Sequence, residues 1–147
     1  MFDDEVFIGF DSEEDIKEFK YNKRVGLMNE RWKKVIIEGK DSGYRVSNTG
    51  KLKKKNGKII DGYSQRDKYV HVKISDKNYS VHRLVAYYFC IIPKRHKNKS
   101  YDELYVNHKD GNTKHNASFN LEWCTPKENT THAWETGLCS SIQGEKT

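Results

Sequence analysis

The sequence predicts an α+β protein, with a β-rich region in its first half and a strand–loop–strand–helix unit in its second. Residues 31–74 hold short runs of alternating apolar and polar side chains separated by turn residues, as strands of a small antiparallel sheet do. Residues 80–90 instead repeat their apolar side chains at the spacing of an amphipathic helix. Between residues 104 and 137, two strand patterns flank a polar loop and precede a helix start.

Composition limits the size and location of the protein. Its 147 residues suit one domain, or one small domain with an extension, and a hydrophobic content of 35% allows a modest core. No apolar run approaches membrane-spanning length and no signal-peptide pattern opens the chain, so we expect a cytoplasmic protein without a membrane partner. Three cysteines without a Cys-x-x-Cys pair argue against a disulfide framework or a structural zinc site.

Charge is distributed unevenly along the chain. Residues 1–28 carry eight acidic and four basic side chains, a net charge of −4, so the remainder of this +6 chain is +10. A basic body of this kind suits a polyanionic partner, although charge that only serves solubility gives the same count. Within the acidic segment, Ser12 and Asp15 predict the start of one short helix, which either packs on the body or shields its basic surface.

The β-rich region divides at its turn residues. Residues 32–37 and 44–47 are strand patterns, Asn48-Thr49-Gly50 ends the second, Asn56-Gly57 predicts a hairpin, and residues 69–74 alternate. Thirteen Lys or Arg residues face only four acidic residues in this region. Basic side chains on the exposed face of a small sheet can follow a phosphate backbone, and a solvated lysine run is the alternative. The candidates for this contact are Arg45, Lys51, Lys53, Lys54 and Lys55.

The helix predicted at residues 80–90 adds two further candidates. Ser80 is placed to cap it, and His82 and Arg83 lie off its apolar stripe. These two side chains could contact a nucleic-acid phosphate, brace the loop of the chemical site described next, or be solvated.

The segment from Tyr105 to Asn112 carries the chemistry. It reads Tyr-Val-Asn-His-Lys-Asp-Gly-Asn and sets a lone imidazole, His108, beside amide and carboxylate oxygens. A helix start follows, marked by Thr125 as N-cap, a proline in the first turn, and Glu128 as the partner in a capping box. One histidine with a pKa near neutral can activate water beside a divalent metal that holds a phosphate.

Three motifs in this order resemble those of the HNH endonucleases, in the form carried by phage and intron-encoded homing nucleases. They are Asn-His-x-Asp-Gly-Asn from Asn107, Asn-Leu-Glu-Trp from Asn120, and Thr-Pro-Lys-Glu-Asn from Thr125. The resemblance implies a ββα-metal nuclease core at residues 79–147. A second likeness, in Tyr-Arg-Val-Ser-Asn-Thr-Gly from Tyr44, is to a small DNA-binding module often joined to these nucleases.

The resemblance also implies a domain order and a function. An acidic extension at residues 1–28 would precede a β-rich DNA-binding module at 29–78 and the nuclease core. The protein would be a monomer that hydrolyses phosphodiester bonds of duplex DNA, by nicking or double-strand cleavage, in a phage or intron setting. A non-catalytic DNA-binding protein that retains the scaffold is the alternative, and the neutral Asn107 is the hint for it.

Site roles follow from the same resemblance. His108 would be the general base, Asn129 a metal ligand in the first helical turn, and Asn120 the residue that ties the loop together and orients the histidine. Asn107 stands where many relatives place a metal-binding Asp, and His132 is a third ligand, a phosphate contact or a surface residue. The catalytic set is therefore His108, Asn120 and Asn129, and the metal set is Asn107, Asn129 and His132. Ligands that are mainly oxygen favour one Mg²⁺ or Mn²⁺ over Zn²⁺.

Overall fold

The computed structural model describes residues 12–64 and 68–135. Gly137, where the sequence predicts the C-cap of the last helix, lies outside the described residues, as do residues 1–11. The first element is helix α1, Glu13–Gly26. Ser12 caps it as predicted, because its hydroxyl accepts a hydrogen bond from the Asp15 N–H.

A four-stranded antiparallel sheet follows α1, with its strands in chain order. Its strands are β1 Trp32–Ile37, β2 Lys40–Ser47, β3 Leu52–Lys53 and β4 Ile59–Ile60. Both Glu38 and Gly39 have positive φ between β1 and β2, as a two-residue hairpin turn requires. The hairpin predicted at Asn56-Gly57 joins β3 to β4, and Gly57 has φ +90°.

A second sheet has three antiparallel strands, β5 Tyr63–Ser64, β6 Val70–Ile74 and β7 Lys77–Ser80. Val72 and Ile74 of β6 are buried and Lys73 is exposed, as the alternation predicted. Strand β7 has no clear apolar alternation and was not predicted. Helix α2, Val81–Phe89, begins directly after β7, and the Ser80 side chain makes no capping hydrogen bond.

The last elements form the predicted strand–loop–strand–helix unit. Strands β8, Tyr105–His108, and β9, Leu121–Cys124, pair antiparallel, and helix α3, Pro126–Glu135, packs on both. The α+β prediction is confirmed. No helix within residues 12–64 and 68–135 combines the length and apolar character needed to cross a membrane.

One hydrophobic core joins the two larger sheets, α2 and the β8–β9 pair. It includes Val46 and Leu52 of the first sheet, Ile74 of the second, Val85 of α2 and Trp123 of β9. At the boundary predicted between residues 78 and 79, β7 leads directly into α2, and the division into domains stays a prediction.

The turn after β2 connects the first sheet to the β8–β9 loop. The buried Asn48 side chain accepts a hydrogen bond from the Arg31 N–H and donates one to the Asn29 carbonyl. Its own carbonyl accepts from the Ser118 N–H at 2.8 Å. Gly50 has φ +96°, and a Cβ there would stand 3.0 Å from the Asn116 backbone. The turn therefore needs glycine both for its conformation and for this close approach.

Candidate active site

His108 is the last residue of β8 and is buried, with 4% of its surface exposed. Its Nε2 lies 2.7 Å from Oδ1 of Asn116. Because an amide oxygen only accepts, Nε2 carries the ring proton and Nδ1 keeps its lone pair. Burial lowers the pKa of His108, and the hydrogen bond to Asn116 offsets only part of this effect. The imidazole is therefore neutral near physiological pH, which is the protonation state of a general base.

Two further aromatic rings pack beside His108. The His82 ring centroid lies 5.0 Å from that of His108, and Tyr69 stacks on His82 at 4.8 Å. His82 is 8% exposed, so little of its side chain is open to a DNA phosphate, and the DNA contact proposed for it stays a prediction. The packing of its ring beside His108 supports a bracing role.

The Arg83 side chain likewise makes its hydrogen bonds within the fold. Its Nη1 donates to the Leu104 carbonyl at 2.9 Å, and its Nη2 donates to the Tyr101 carbonyl at 2.8 Å. The guanidinium also lies over the Trp123 ring. The side chain therefore ties α2 to the chain that enters β8, and the DNA contact of Arg83 stays a prediction.

The loop between β8 and β9 is held by Asn120. Its Nδ2 donates to Asp110 Oδ1 and to the His115 carbonyl, both at 2.9 Å, and its Oδ1 accepts from the Asp110 N–H. Asp110 Oδ1 also accepts from the Asn112 N–H, as a turn former does. Asn120 thus ties the loop together by hydrogen bonds, and the His108 ring is hydrogen-bonded to Asn116.

Helix α1 packs on the same loop through His115. Tyr21 stacks on the His115 ring at a centroid distance of 3.7 Å, and Glu18 Oε1 lies 2.7 Å from His115 Nε2. On the opposite side of the ring, His115 Nδ1 lies 2.6 Å from Asp110 Oδ2. The Ala117 N–H donates to the Tyr21 hydroxyl. Of the two possibilities for the acidic segment, its helix therefore packs on the body.

Asn107 sits directly opposite Glu122 in the β8–β9 ladder. Its Nδ2 donates to Glu122 Oε2 at 2.9 Å, which leaves the amide oxygen of Asn107 for another partner. Asn129 lies in the first turn of α3, where its N–H donates to the Thr125 carbonyl. Its side chain is half-buried. The side chain of His132 lies outside the described residues, so its assignment as a ligand stays a prediction.

The start of α3 is fixed by the predicted capping box. The Glu128 N–H donates to Thr125 Oγ1 at 3.1 Å, and the Thr125 N–H donates to Glu128 Oε1 at 3.0 Å. Arg95 and His96 also reach the Glu128 carboxylate, at 2.9 and 2.8 Å. The hydrogen bond from Arg95, followed by that from Thr125, lowers the pKa of Glu128 to about 2.

The basic candidates gather at the hairpin end of the first sheet. Arg45 and three lysines line a shallow cleft of about 440 Å³, together with Asp41. The lysines are Lys53, Lys54 and Lys55. Arg45 Nη1 lies 3.4 Å from Asp41 Oδ1, and Lys53 Nζ lies over the Trp32 ring. Lys51 is exposed in the turn before β3 and does not line this cleft.

Three residues of the site escaped the sequence interpretation. Asn116 holds His108, Glu122 faces Asn107, and His115 joins α1 to the loop. Only Glu122 had a usable sequence signal, because it alternates with Leu121 and Trp123 and so faces away from the core.

Comparison with known proteins agrees with this geometry. No protein-family model matches the chain. It is 42% identical over 116 residues to the SPbeta prophage-derived protein YosQ of Bacillus subtilis, whose name describes an HNH homing endonuclease. It is 38% identical over 116 residues to the DNA endonuclease I-HmuI of Bacillus phage SP01. These matches cover 74% and 75% of the chain.

A solved structure extends the match to the fold. The chain superposes on I-HmuI, in a structure described as DNA binding and cleavage by that HNH homing endonuclease, with a TM-score of 0.58 and 34% identity. The chain is a relative of the HNH homing endonucleases. It spans 62% of the length of YosQ and of I-HmuI, and the superposition covers 76% of this chain and 62% of the solved one. The HNH fold predicted from the motifs is therefore confirmed.

Proposed function

We propose that the chain is a metal-dependent HNH endonuclease that hydrolyses phosphodiester bonds of duplex DNA. The observation that carries the proposal is the neutral, buried His108 at the end of β8, oriented by Asn116 within the β8–loop–β9–α3 unit. The relatives add support, because I-HmuI is named as a DNA endonuclease and is described as binding and cleaving DNA.

The role of His108 follows from its tautomer. Nδ1 takes a proton from the attacking water while the water oxygen forms a bond to phosphorus and the bond from phosphorus to the 3′ oxygen breaks. The hydrogen bond from Nε2 to Asn116 fixes the ring orientation during this transfer. Asn120 affects His108 only indirectly, because it holds the backbone of the loop that carries Asn116.

The residues beside His108 offer oxygen donors that suit a hard divalent ion. Asn107 uses its Nδ2 toward Glu122, so its amide oxygen is not used in that contact. Within the described residues no group of three or more His, Cys, Asp or Glu side chains is placed to hold a metal. We assign Asn107 and Asn129 as ligands, in keeping with the preference of Mg²⁺ and Mn²⁺ for oxygen. A bound ion supplies charge stabilisation at the phosphate and at the departing oxygen.

A plasmid-nicking assay with Mg²⁺ or Mn²⁺ tests the proposal. His108→Ala should lose about 10²–10⁴-fold in rate, the usual effect of removing a general base. Its DNA affinity in a gel-shift assay should stay near that of the natural sequence, because a neutral imidazole neutralises no phosphate charge.

A His71→Ala variant is the matched control, because His71 lies opposite Tyr63 in a sheet that does not include β8. It should keep the full rate. Equal rates for His108→Ala and the natural sequence would exclude His108 from catalysis. DNA binding without metal-dependent cleavage by the natural sequence would support the non-catalytic alternative.

A further inference from the structure

The two proposed metal ligands, Asn107 and Asn129, are uncharged, whereas the neighbouring Glu122 carries a carboxylate. Asn107 and Asn129 are neutral amides, which bind Mg²⁺ or Mn²⁺ more weakly than a carboxylate does. Glu122 faces Asn107 across the β8–β9 ladder, and side chains of directly opposed residues lie on the same face of the pair. The 2.9 Å contact between Asn107 Nδ2 and Glu122 Oε2 brings the carboxylate to the candidate ligand.

Helix α3 begins directly after β9 and packs on both strands of the ladder. Cys124, the last residue of β9, lies two residues after Glu122 and therefore on the same face of the strand. The first turn of α3, which carries Asn129, starts two residues after Cys124.

The other carboxylates around the site are already occupied. Glu128 accepts from Arg95, His96 and the Thr125 N–H. Asp110 is engaged by His115, Asn120 and the Asn112 N–H. Among the described side chains, Glu122 has Asn107 as its hydrogen-bond partner, and it is half-buried rather than enclosed, so a cation can reach it.

We propose that Glu122 supplies the anionic ligand of the divalent metal, beside the amide oxygens of Asn107 and Asn129. This inference rests on the proposed function in assuming the ion, but it adds a ligand that the HNH motif did not assign. In this chain the carboxylate lies one strand across from Asn107, and the hydrogen bond between the two side chains orients both of them.

Direct binding of Mn²⁺ to the full chain, followed by electron paramagnetic resonance, tests the assignment without relying on cleavage. Glu122→Gln keeps the shape of the side chain and its contact with Asn107 but removes the charge. It should weaken Mn²⁺ binding by about tenfold or more, because even residues that only support a metal ligand change metal affinity by about 10–100-fold when they are replaced. The thermal midpoint without metal should be nearly unchanged.

Two further variants make the test specific. Glu38→Gln removes one acidic charge from the exposed β1–β2 turn and should leave Mn²⁺ binding unchanged. Asn107→Asp combined with Glu122→Gln moves the carboxylate across the pair and should restore binding to within about threefold of the natural sequence, since the charge count of the ligands is restored.

The outcomes separate this inference from the proposed function. Natural Mn²⁺ affinity in Glu122→Gln, or no Mn²⁺ binding by the unaltered chain, overturns the role of Glu122. Loss of binding in Glu122→Gln with recovery in the double variant supports it. Failure of the proposed function would be seen separately, as a chain that binds Mn²⁺ and DNA but nicks no plasmid.

Discussion

His108 and Asn116 show how two neutral side chains set the chemistry of the site at the scale of single residues. Burial keeps the pKa of His108 below its ordinary value, so the base is available down to a lower pH than an exposed histidine would allow. Asn116 fixes the tautomer without adding charge. An acid in the place of Asn116 would alter the protonation of the ring and not its position.

We therefore expect Asn116→Asp to move the acid limb of the pH–rate profile. A carboxylate accepting from Nε2 stabilises the imidazolium, so the pKa of His108 rises. Because the base must be neutral, the rate should then be lost at a higher pH than in the natural sequence, and activity at alkaline pH should largely persist. The measurement is the nicking rate across pH at saturating metal.

Asn112→Asp is the control for this variant. It adds the same charge to the same loop, but the Asn112 side chain contacts His115 and the Lys114 N–H rather than His108. If the acid limb of the pH–rate profile shifted equally in both variants, the added negative charge in the loop would explain the shift. Asn116 would then not be the residue that sets the pKa of His108.

At the scale of elements, two separate pieces of chain support the loop that carries Asn116. Helix α1 packs on it through Tyr21 and Glu18, and the turn after β2 packs on it through Asn48 and Gly50. Burial raises the pKa of Tyr21 to about 12, so its hydroxyl stays protonated at physiological pH and accepts from the Ala117 N–H. The histidine loop is thus shaped by elements far from it in sequence.

Gly50→Ala tests the contact between the turn and the loop. A left-handed backbone costs an alanine about 1–2 kcal/mol, and the new Cβ would meet the Asn116 backbone at 3.0 Å. Overpacking of this kind adds about 1–3 kcal/mol. We expect a lower thermal midpoint and a lower nicking rate, because displacement of Asn116 disturbs His108.

Gly57→Ala separates the conformational cost of a positive φ from the steric effect of the contact with Asn116. Gly57 also has a positive φ, of +90°, but a Cβ there would meet nothing within 4 Å. It should pay only the conformational cost and keep its nicking rate at temperatures where it is folded. Equal losses of stability and rate in the two variants would argue against a role for the contact between Gly50 and Asn116.

At the scale of the whole molecule, basic side chains and the candidate active site lie on different elements joined by one core. The cleft lined by Arg45, Lys53, Lys54 and Lys55 is formed by β2 and the β3–β4 hairpin, whereas His108 ends β8. This arrangement would let the first sheet hold a DNA backbone while the β8–β9 unit acts on one phosphate. Arg45 is partly neutralised by Asp41, so the lysines are the stronger candidates.

Changing Lys53, Lys54 and Lys55 together to Ala should reduce the salt dependence of DNA binding. Each phosphate contact releases counterions and contributes nearly one unit to the log–log slope. If all three lysines touch phosphate, the slope should flatten by about two to three units, while the cleavage rate at saturating DNA persists. An unchanged slope would show that the three lysines are solvated and do not contact phosphate. The basic residues in 94–99 would then be the next candidates for the DNA contact.

The sequence by itself determined the local chemistry and most of the elements. Turn residues, alternation and the capping box are properties of neighbouring residues, so they located the hairpin at Asn56-Gly57, strand β6 and the start of α3 at Thr125. The same locality gave His108, because its motif is continuous in the chain. Strand β7 was missed because its side chains are not alternately apolar, and pairing with β6 forms it instead.

The tertiary structure alone decided which side chains meet across elements. His82 and Arg83 looked exposed on a helical wheel, yet packing against β8 and its lead-in segment turned both inward. The pairing of Asn107 with Glu122 required the strand register, and the contact of α1 with His115 joins residues 97 positions apart. Such contacts depend on how the whole core packs, and no local sequence pattern specifies that packing. The side chains that contact the catalytic histidine candidate could therefore be identified only in the folded chain.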